Sequence, residues 1–155
     1  MSRDGSVTLV WGDDEYLFRL GLAQWRRIQE KCDAGPGEIY RRLVTIATVL
    51  EKGVTLTQAA AMGAIGDWRI DDVREPILQG LVGGGMSEIA AGALVRTRVD
   101  PVVDFKTHLA LAFGIVKAGL GEVPDEPLGE PAGGAKKPAR SPRARSGSRR
   151  STATA

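Results

Sequence analysis

The spacing of apolar and polar positions predicts a β-hairpin at the start of the chain. Residues 7–11 alternate and are rich in β-branched side chains, and residues 16–20 form a second apolar run. Between them, Gly12 to Glu15 is a turn signal. Two such runs joined by a short turn are typical of a hairpin. Because an isolated hairpin is marginal in water, we expect it to pack on another element.

After the hairpin the apolar period changes to that of helices. Apolar positions at helical spacing are Leu22, Trp25, Ile28 and Cys32 in a first helix, closed by Gly35, and Ile39, Leu43, Ile46 and Leu50 in a second. Pro36 suits the first position of the second helix, where its missing N–H costs nothing. Thr55 and Gln58 match a capping box and predict a third, short, alanine-rich helix.

The stretch from Trp68 to Met86 predicts the helix around which the chain is organised. Asp71 or Asp72 can cap its N-terminus, and Pro76 is tolerated in a first turn, which places the start near Asp72. Its apolar face comprises Val73, Ile77, Leu78, Leu81 and Val82. Residues 83–85 are three glycines, which we expect to stop the helix and form a tight joint with the next one.

Two more helices are predicted before residue 121. Ser87 caps the first, whose small and apolar positions are Ile89, Ala90, Ala93 and Leu94. Asp100 and Pro101 open the second, whose stripe comprises Val102, Phe105, Leu109, Phe113, Val116 and Leu120, widened by Leu111, Ile115 and Ala118. So wide an apolar surface either lies centrally in the core or is partly presented to a partner.

Composition and charge change abruptly after Gly121. Residues 122–155 are rich in Pro, Gly, Ala, Ser and Arg and contain only two sizeable apolar residues. Such a segment cannot bury enough surface to offset its ordering entropy, so we predict a disordered tail at 122–155 behind a domain at 1–121. The net charge of +2 combines an acidic first part with a basic tail that has no acid after Glu130.

Candidate chemistry is sparse in this sequence. Asp71, Asp72 and Glu75 are interpreted as caps and dipole partners, because no second carboxylate cluster converges on them. His108 is expected at the surface or in a groove, and Cys32 is expected to be a half-buried structural thiol. The glycines lack the Lys and Ser or Thr of a phosphate loop. We therefore predict no enzyme activity, no catalytic residues, no cofactor and no metal site.

Compartment and nucleic-acid binding follow from the same composition. No apolar run is long enough to span a membrane, no signal peptide is visible, and one cysteine allows no internal disulfide, which favours the cytoplasm. The tail cations can contact phosphates weakly and without sequence specificity, and they are Lys136, Lys137, Arg140, Arg143, Arg145, Arg149 and Arg150. The acidic body argues against a helix-turn-helix recognition surface.

Residues 80–86, Gly-Leu-Val-Gly-Gly-Gly-Met, and the following Leu94-Val95 carry a family resemblance. With the Pro101-started helix that ends at Gly119–Gly121, residues 4–121 resemble small proteins encoded in the tail-gene clusters of gene transfer agents and siphophage-like prophages. Members are usually regarded as tail assembly chaperones, although some naming attaches them to the tail tube. The resemblance implies a protein without enzymatic activity that coats the tape measure protein while tube subunits polymerise, and is then displaced.

The element pattern favours a chaperone over a tube subunit, because a stacked ring is expected to be rich in sheet and only two strands are predicted. The tape measure protein is the expected partner, with the tail tube protein and a second copy of the chain as further candidates. The expected contact surface is Leu111 and Ile115 on the long helix, or the joint formed by Gly83, Gly84, Gly85 and Met86.

A minor structural tail protein and a nucleic-acid-associated protein remain open alternatives, and a chaperone is expected to be scarce in the mature particle.

Overall fold

A computed structural model of the protein describes residues 4–121, which contain a two-stranded antiparallel sheet followed by six helices. The elements are β1 (Ser6–Trp11), β2 (Asp14–Arg19), α1 (Leu22–Cys32), α2 (Pro36–Glu51), α3 (Leu56–Ala61), α4 (Ile70–Gly83), α5 (Glu88–Arg98) and α6 (Phe105–Gly119). The prediction of a mainly helical domain with an N-terminal hairpin is confirmed. The predicted tail at 122–155, and residues 1–3 of the predicted domain, lie outside the described residues.

The hairpin turns through two residues, Gly12 and Asp13, so that Trp11 pairs with Asp14. Gly12 has a positive φ of 70°, which glycine adopts without the steric cost that a β-carbon adds. The face that contacts the helices carries Val7, Leu9, Trp11, Tyr16 and Phe18. The hairpin therefore packs on a helical layer, as its marginal stability in isolation requires.

Helices α1, α2 and α3 begin and end close to the predicted positions. Pro36 is the first residue of α2, behind Gly35 as its cap. In α3 the Thr55 hydroxyl accepts from the N–H of Gln58, and the Gln58 side chain accepts from the N–H of Thr55. Start signals located α2 and α3 because they act within a single turn of chain, whereas α1 was located by its apolar spacing.

Helix α4 differs from the prediction at its start. It begins at Ile70 rather than near Asp72, and Pro76 is its seventh residue, within the helix and not in its first turn. A proline there removes the hydrogen bond that would reach the carbonyl of Asp72. Asp72 does serve the helix start, but from the third position, where its Oδ2 accepts from the N–H of Arg69 at 2.8 Å.

The predicted faces and bounds of the last two helices are partly wrong. Ile89, Ala90 and Ala93 of α5 are exposed, and its buried side chains are Ala91 and Val95. Helix α6 begins at Phe105, four residues later than predicted, because residues 100–104 turn the chain back after α5. In that turn Val102 and Asp104 have φ values of 58° and 54°, and both Val102 and Val103 are exposed. A β-branched residue in this region is strained. Within the turn, the N–H of Val102 donates to the carbonyl of Val99 at 2.9 Å.

Helix α4 lies at the centre of the described domain. It packs against α1 and α5, and also against β2, α6 and α2. Eight of its residues are buried, including the polar Asp72, Glu75 and Gln79. The stretch from Trp68 to Met86 thus contains the element on which α1, α2, α5, α6 and the hairpin assemble.

Candidate partner-binding site

Two of the three glycines at 83–85 form a close contact between α4 and β2, in addition to the predicted joint between α4 and α5. A β-carbon on Gly83 would overlap the carbonyl oxygen of Arg19, and one on Gly84 would overlap that of Leu17. Contact between a glycine Cα and a carbonyl oxygen is one way in which helix and strand backbones approach closely. Glycine is therefore required at positions 83 and 84 because there is no room for a β-carbon. The backbone conformation is not the reason at Gly84, since its φ of −76° is one that any residue adopts.

Gly85 has a different role from its two neighbours. Its φ is +109°, no atom would oppose a β-carbon there, and its N–H donates to the carbonyl of Val82. The N–H of Met86 donates to the carbonyl of Leu81. These two bonds form a Schellman motif, which satisfies the last carbonyls of the helix. Gly83 to Met86 thus terminate and dock α4, and only Gly85 among them is exposed.

The structure places Leu111 and Ile115 in the core. Their exposed fractions are 6% and 1%, so they offer almost no area to a partner. The expectation that they form the contact surface of the long helix is wrong in this respect. Periodicity identified the apolar sides of α6 but did not distinguish the side that faces α4 and the hairpin from the side that remains open.

The open side of α6 borders an apolar groove that α2 closes from the other side. Its lining comprises Ala47, Leu50, Glu51 and Gly53 from the α2 end and Lys106, Leu109, Ala110 and Phe113 from α6. The groove encloses about 360 Å³, and its two charges have opposite signs. Phe113 is held in place by stacking on Tyr40, with ring centroids 5.8 Å apart. We name this feature the α2–α6 groove.

A second groove runs between α6 and the outer edge of β1. It encloses about 400 Å³ and is lined by Leu9, Val10, Lys106, Thr107, Ala110, Leu111 and Gly114. A β-carbon on Gly114 would lie 3.3 Å from Cδ1 of Leu9, so glycine keeps the floor low at this point. We name this feature the β1–α6 groove. Ala110 and Lys106 form the ridge that separates it from the α2–α6 groove.

Asp72 belongs to a buried ionic network that joins α2 to α4. Its side chain is fully buried, and both its carboxylate oxygens lie 3.3 Å from Nη1 of Arg42. Nε of Arg42 also donates to Glu38 at 3.0 Å. Hydrogen bonds from Arg41 first, and then from Arg42, lower the pKa of Glu38 to about 2. Asp72 and Glu75 thus have a larger structural role than the predicted helix capping, since Glu75 is also buried and paired with Arg74 at 3.1 Å.

Cys32 and His108 are both buried within the domain. The Cys32 thiol donates to the carbonyl of Asp71 at 3.2 Å, and burial, together with the nearby Asp72, raises its pKa to about 12. His108 is 6% exposed and contacts Trp11 edge to face, so the expectation of a surface or groove histidine is wrong. Burial lowers the pKa of His108, and the carboxylate of Asp104 opposes that shift. Neither side chain has the exposure that a nucleophile or a general base requires.

Arg98 holds the hairpin turn against α5, and sequence reasoning missed it. Its Nη1 donates to the carbonyl of Trp11 at 2.8 Å, and its guanidinium lies 5.2 Å from the Trp11 ring and 5.6 Å from the Tyr16 ring. Asp14 lies 3.7 Å from Nη2. The only signal in the sequence is a basic residue in the last turn of a helix, which by itself indicates dipole compensation and no particular partner.

Within residues 4–121, no three His, Cys, Asp or Glu side chains are grouped so that they could hold a metal ion. In the same range no helix has both the length and the apolar character needed to cross a membrane. The basic residues predicted to contact phosphates, between Lys136 and Arg150, lie outside the described residues. The two apolar grooves named above lie on the described surface.

Residues 4–64 match the model of a family described as "Phage tail tube protein, GTA-gp10". The matched segment covers the hairpin and α1 to α3, which is less than half of the chain. It supports the expected relation to tail proteins of phages and gene transfer agents, but it does not reach residues 80–86, which carried much of the resemblance in the sequence. Neither a curated protein nor a solved structure matches the chain.

Proposed function

We propose that this protein is a tail assembly chaperone of a phage or gene transfer agent, which binds the tape measure protein during tail morphogenesis. The similarity of residues 4–64 to a tail tube family supports a tail-related role. The helical architecture of residues 4–121, with a single hairpin, supports an assembly factor over a ring-forming subunit that needs extensive sheet. The tail tube protein is a second proposed partner, through which tube growth displaces the chaperone.

The α2–α6 groove is the observation that carries this proposal. A helical client presents apolar side chains at positions i, i+3, i+4 and i+7, and such a stripe binds in an apolar groove between two helices. Leu50 and Phe113 provide apolar walls, while Glu51 and Lys106 lie at the groove and can pair with charges that flank the stripe. A groove of this kind accepts many related helical segments, which suits a client that is long and repetitive in its apolar pattern.

Co-expression tests the proposal directly. The tape measure gene is expected in the same tail-gene cluster, and its product should be recovered in the soluble fraction only when this protein is present. The proposal fails if the tape measure protein is equally soluble alone. Ala47→Glu places a charge in the α2–α6 groove and should reduce co-purification by at least tenfold. Ala93→Glu introduces the same change on exposed α5 and should leave co-purification unchanged.

The family description favours one alternative, a minor structural protein associated with the tail tube. Mass spectrometry of purified particles distinguishes the two functions. A chaperone acts in the cytoplasm of the producing cell and should be absent from particles or far below one copy per tube ring. A structural protein should be present in a fixed ratio to the tube subunit.

A second alternative rests on the charge of the basic tail, which can bind nucleic acid without sequence specificity. Deleting residues 131–155 should then abolish retention on DNA at low salt. Full-length protein that shows no salt-sensitive retention rules out this alternative, and it leaves the chaperone proposal untouched because the α2–α6 groove lies outside the deleted segment.

A further inference from the structure

The two edges of the hairpin are treated differently by the rest of the domain. The outer edge of β2 is covered, because the carbonyls of Leu17 and Arg19 meet the backbone of α4 at Gly84 and Gly83. The outer edge of β1 is not covered in this way. Among the described strands and helices, β2 and α6 pack along β1, Arg98 of α5 reaches β1 at its last residue, Trp11, and the β1–α6 groove lies along the open edge.

The register identifies which backbone groups are available at that open edge. Leu17 pairs with Thr8, and the Leu17 carbonyl points away from β1 towards α4. In an antiparallel ladder the two residues of a pair direct their backbone groups either towards each other or both outward. Thr8 therefore directs its N–H and C=O to the open edge, and so does Val10, two residues later. Ser6 is the third such residue, but its N–H already donates to Oδ1 of Asp4 at 3.0 Å.

Nothing in β1 protects this edge against another strand. Natural edge strands commonly carry a lysine, a proline or a bulge that prevents pairing. The strand Ser6–Trp11 contains no charge and no proline, and it pairs with β2 in continuous register. Its outward side chain Val10 is 66% exposed, and the neighbouring Leu17 on the same face is 49% exposed. The open edge thus combines unpaired backbone groups with an apolar face.

We infer that the open edge of β1 pairs antiparallel with β1 of a second copy of this chain, forming a four-stranded sheet across a two-fold axis at Leu9. An antiparallel pair related by a two-fold axis needs the same surface on both copies. Thr8 and Val10 meet this condition, because Thr8 of one copy lies opposite Val10 of the other and each supplies one free N–H and one free C=O. This register leaves the bond between Ser6 and Asp4 intact.

The β1–α6 groove explains why the pairing fits a second copy in particular. Leu9 faces the helices and lines this groove beside Leu111 and Gly114. At the two-fold axis, Leu9 of the second copy lies beside Leu9 of the first, above the low floor that Gly114 provides. On the outer face, Val10 meets Thr8 of the other copy, a β-branched pair that stabilises neighbouring strands. No like charges face each other within the paired strands, because β1 has none.

Register-specific cross-linking tests the inference. In the proposed sheet Thr8 and Val10 of opposite copies form a hydrogen-bonded pair with Cα atoms about 5.5 Å apart, within the range of a disulfide. Thr8→Cys mixed with Val10→Cys should therefore give a disulfide-linked dimer under mild oxidation. Each variant alone should cross-link at least tenfold more slowly, because its cysteines are diagonal and roughly 7–8 Å apart. The native Cys32 is buried and does not interfere.

A second measurement uses variants that keep the fold. Full-length protein should sediment with twice the chain mass of 16.5 kDa at high micromolar concentration. Val10→Pro removes one outward N–H without breaking a bond to β2, and it should raise the dimer dissociation constant at least tenfold. Val10→Thr keeps the N–H and the β-branch and should leave that constant within about twofold.

Three results overturn the inference. They are a wild-type protein that stays monomeric at several hundred micromolar, a mixture that cross-links no faster than its single variants, and a Val10→Pro protein that dimerises as tightly as Val10→Thr. The inference does not rest on the proposed function, because Ala47 lies on α2 and outside this edge. A monomer that still solubilises the tape measure protein contradicts only the dimer, and a dimer that does not solubilise it contradicts only the chaperone.

Discussion

The backbone of Gly84 at the end of α4 lies so close to the carbonyl oxygen of Leu17 in β2 that a β-carbon at position 84 would overlap that oxygen. This contact fixes the hairpin on the central helix and covers the outer edge of β2. It also leaves the outer edge of β1 as the only edge of the described sheet that no helix backbone meets in this way. The steric requirement at Gly84 thus affects the stability of the domain, and it also decides which edge of the hairpin stays open.

Replacing Gly84 should destabilise the domain by steric overlap. We expect Gly84→Ala to lower the free energy of unfolding by at least about 1–3 kcal/mol, and Gly84→Val to lower it further, because the overlapping atom is a backbone oxygen that cannot rotate away. Urea unfolding followed by circular dichroism measures both. Gly92→Ala is the control, since nothing opposes a β-carbon at that helical position. It should stabilise the protein by about 0.5–1 kcal/mol, and equal effects at 84 and 92 would contradict the close contact.

Removing the carboxylate of Asp72 should lower the free energy of unfolding strongly, because Arg42 is only 11% exposed and would lose its buried partner. Breaking a buried ion pair on one side destabilises a protein by roughly 3–5 kcal/mol. We expect Asp72→Ala to fall in this range in urea unfolding. Asp71→Ala, one residue earlier and partly exposed, should cost less than about 1 kcal/mol, the size of a helix-dipole contribution. Similar losses for the two variants would show that the network contributes little.

Acidification should destabilise the domain through His108. Its folded pKa lies below the ordinary value of 6.5, so well above pH 6.5 the folded and unfolded states are both neutral at this residue. As the pH falls below 6.5, the unfolded state binds the proton first, and stability decreases until the pH has passed the folded pKa. Thermal unfolding at pH 7.5 and pH 5.5 measures this loss. His108→Phe should lose less stability between these two values than the wild type, and an equal loss would exclude His108 as the cause.

Shortening Arg98 should loosen the hairpin turn. The side chain combines a hydrogen bond to Trp11 with contacts to two aromatic rings, so we expect Arg98→Ala to cost about 1–2 kcal/mol. Arg98→Lys should recover only part of this lost stability, since the lysine ammonium lacks the planar, forked arrangement of donors that a guanidinium has. Arg96→Ala, on an exposed position of the same helix, serves as the reference. Hydrogen exchange at the β1 amides should accelerate in the Arg98 variants but not in the Arg96 variant.

The thiol of Cys32 should be inert in the native protein. Burial and the nearby Asp72 raise its pKa to about 12, so the reactive thiolate is scarce at neutral pH. A disulfide reagent added at pH 8 should react with it only as fast as the protein unfolds. The Thr8→Cys variant carries an additional, exposed thiol, which should react in seconds. Rapid modification of Cys32 in the wild-type protein would contradict its burial.

Local signals in the sequence determined most of the secondary structure. Gly12 located the hairpin turn, and Pro36, Thr55 and Ser87 located the starts of helices, because each acts through the backbone of its own turn. The change in composition after Gly121 determined the boundary that we predict for the domain. Glycines 83–85 likewise predicted the end of α4, but they did not indicate that Gly83 and Gly84 contact β2.

Only the tertiary structure decided which apolar faces are buried and which polar residues meet. Leu111 and Ile115 look like an extra surface in the sequence, but they face the core because α4 and the hairpin cover that side of α6. Pro76 lies inside a helix because the packing around α4 outweighs a local penalty that sequence reasoning treats as decisive. The long-range pairs Arg42–Asp72 and Arg98–Trp11, and the open edge of β1, depend on how separate elements pack, which no local pattern in the sequence encodes.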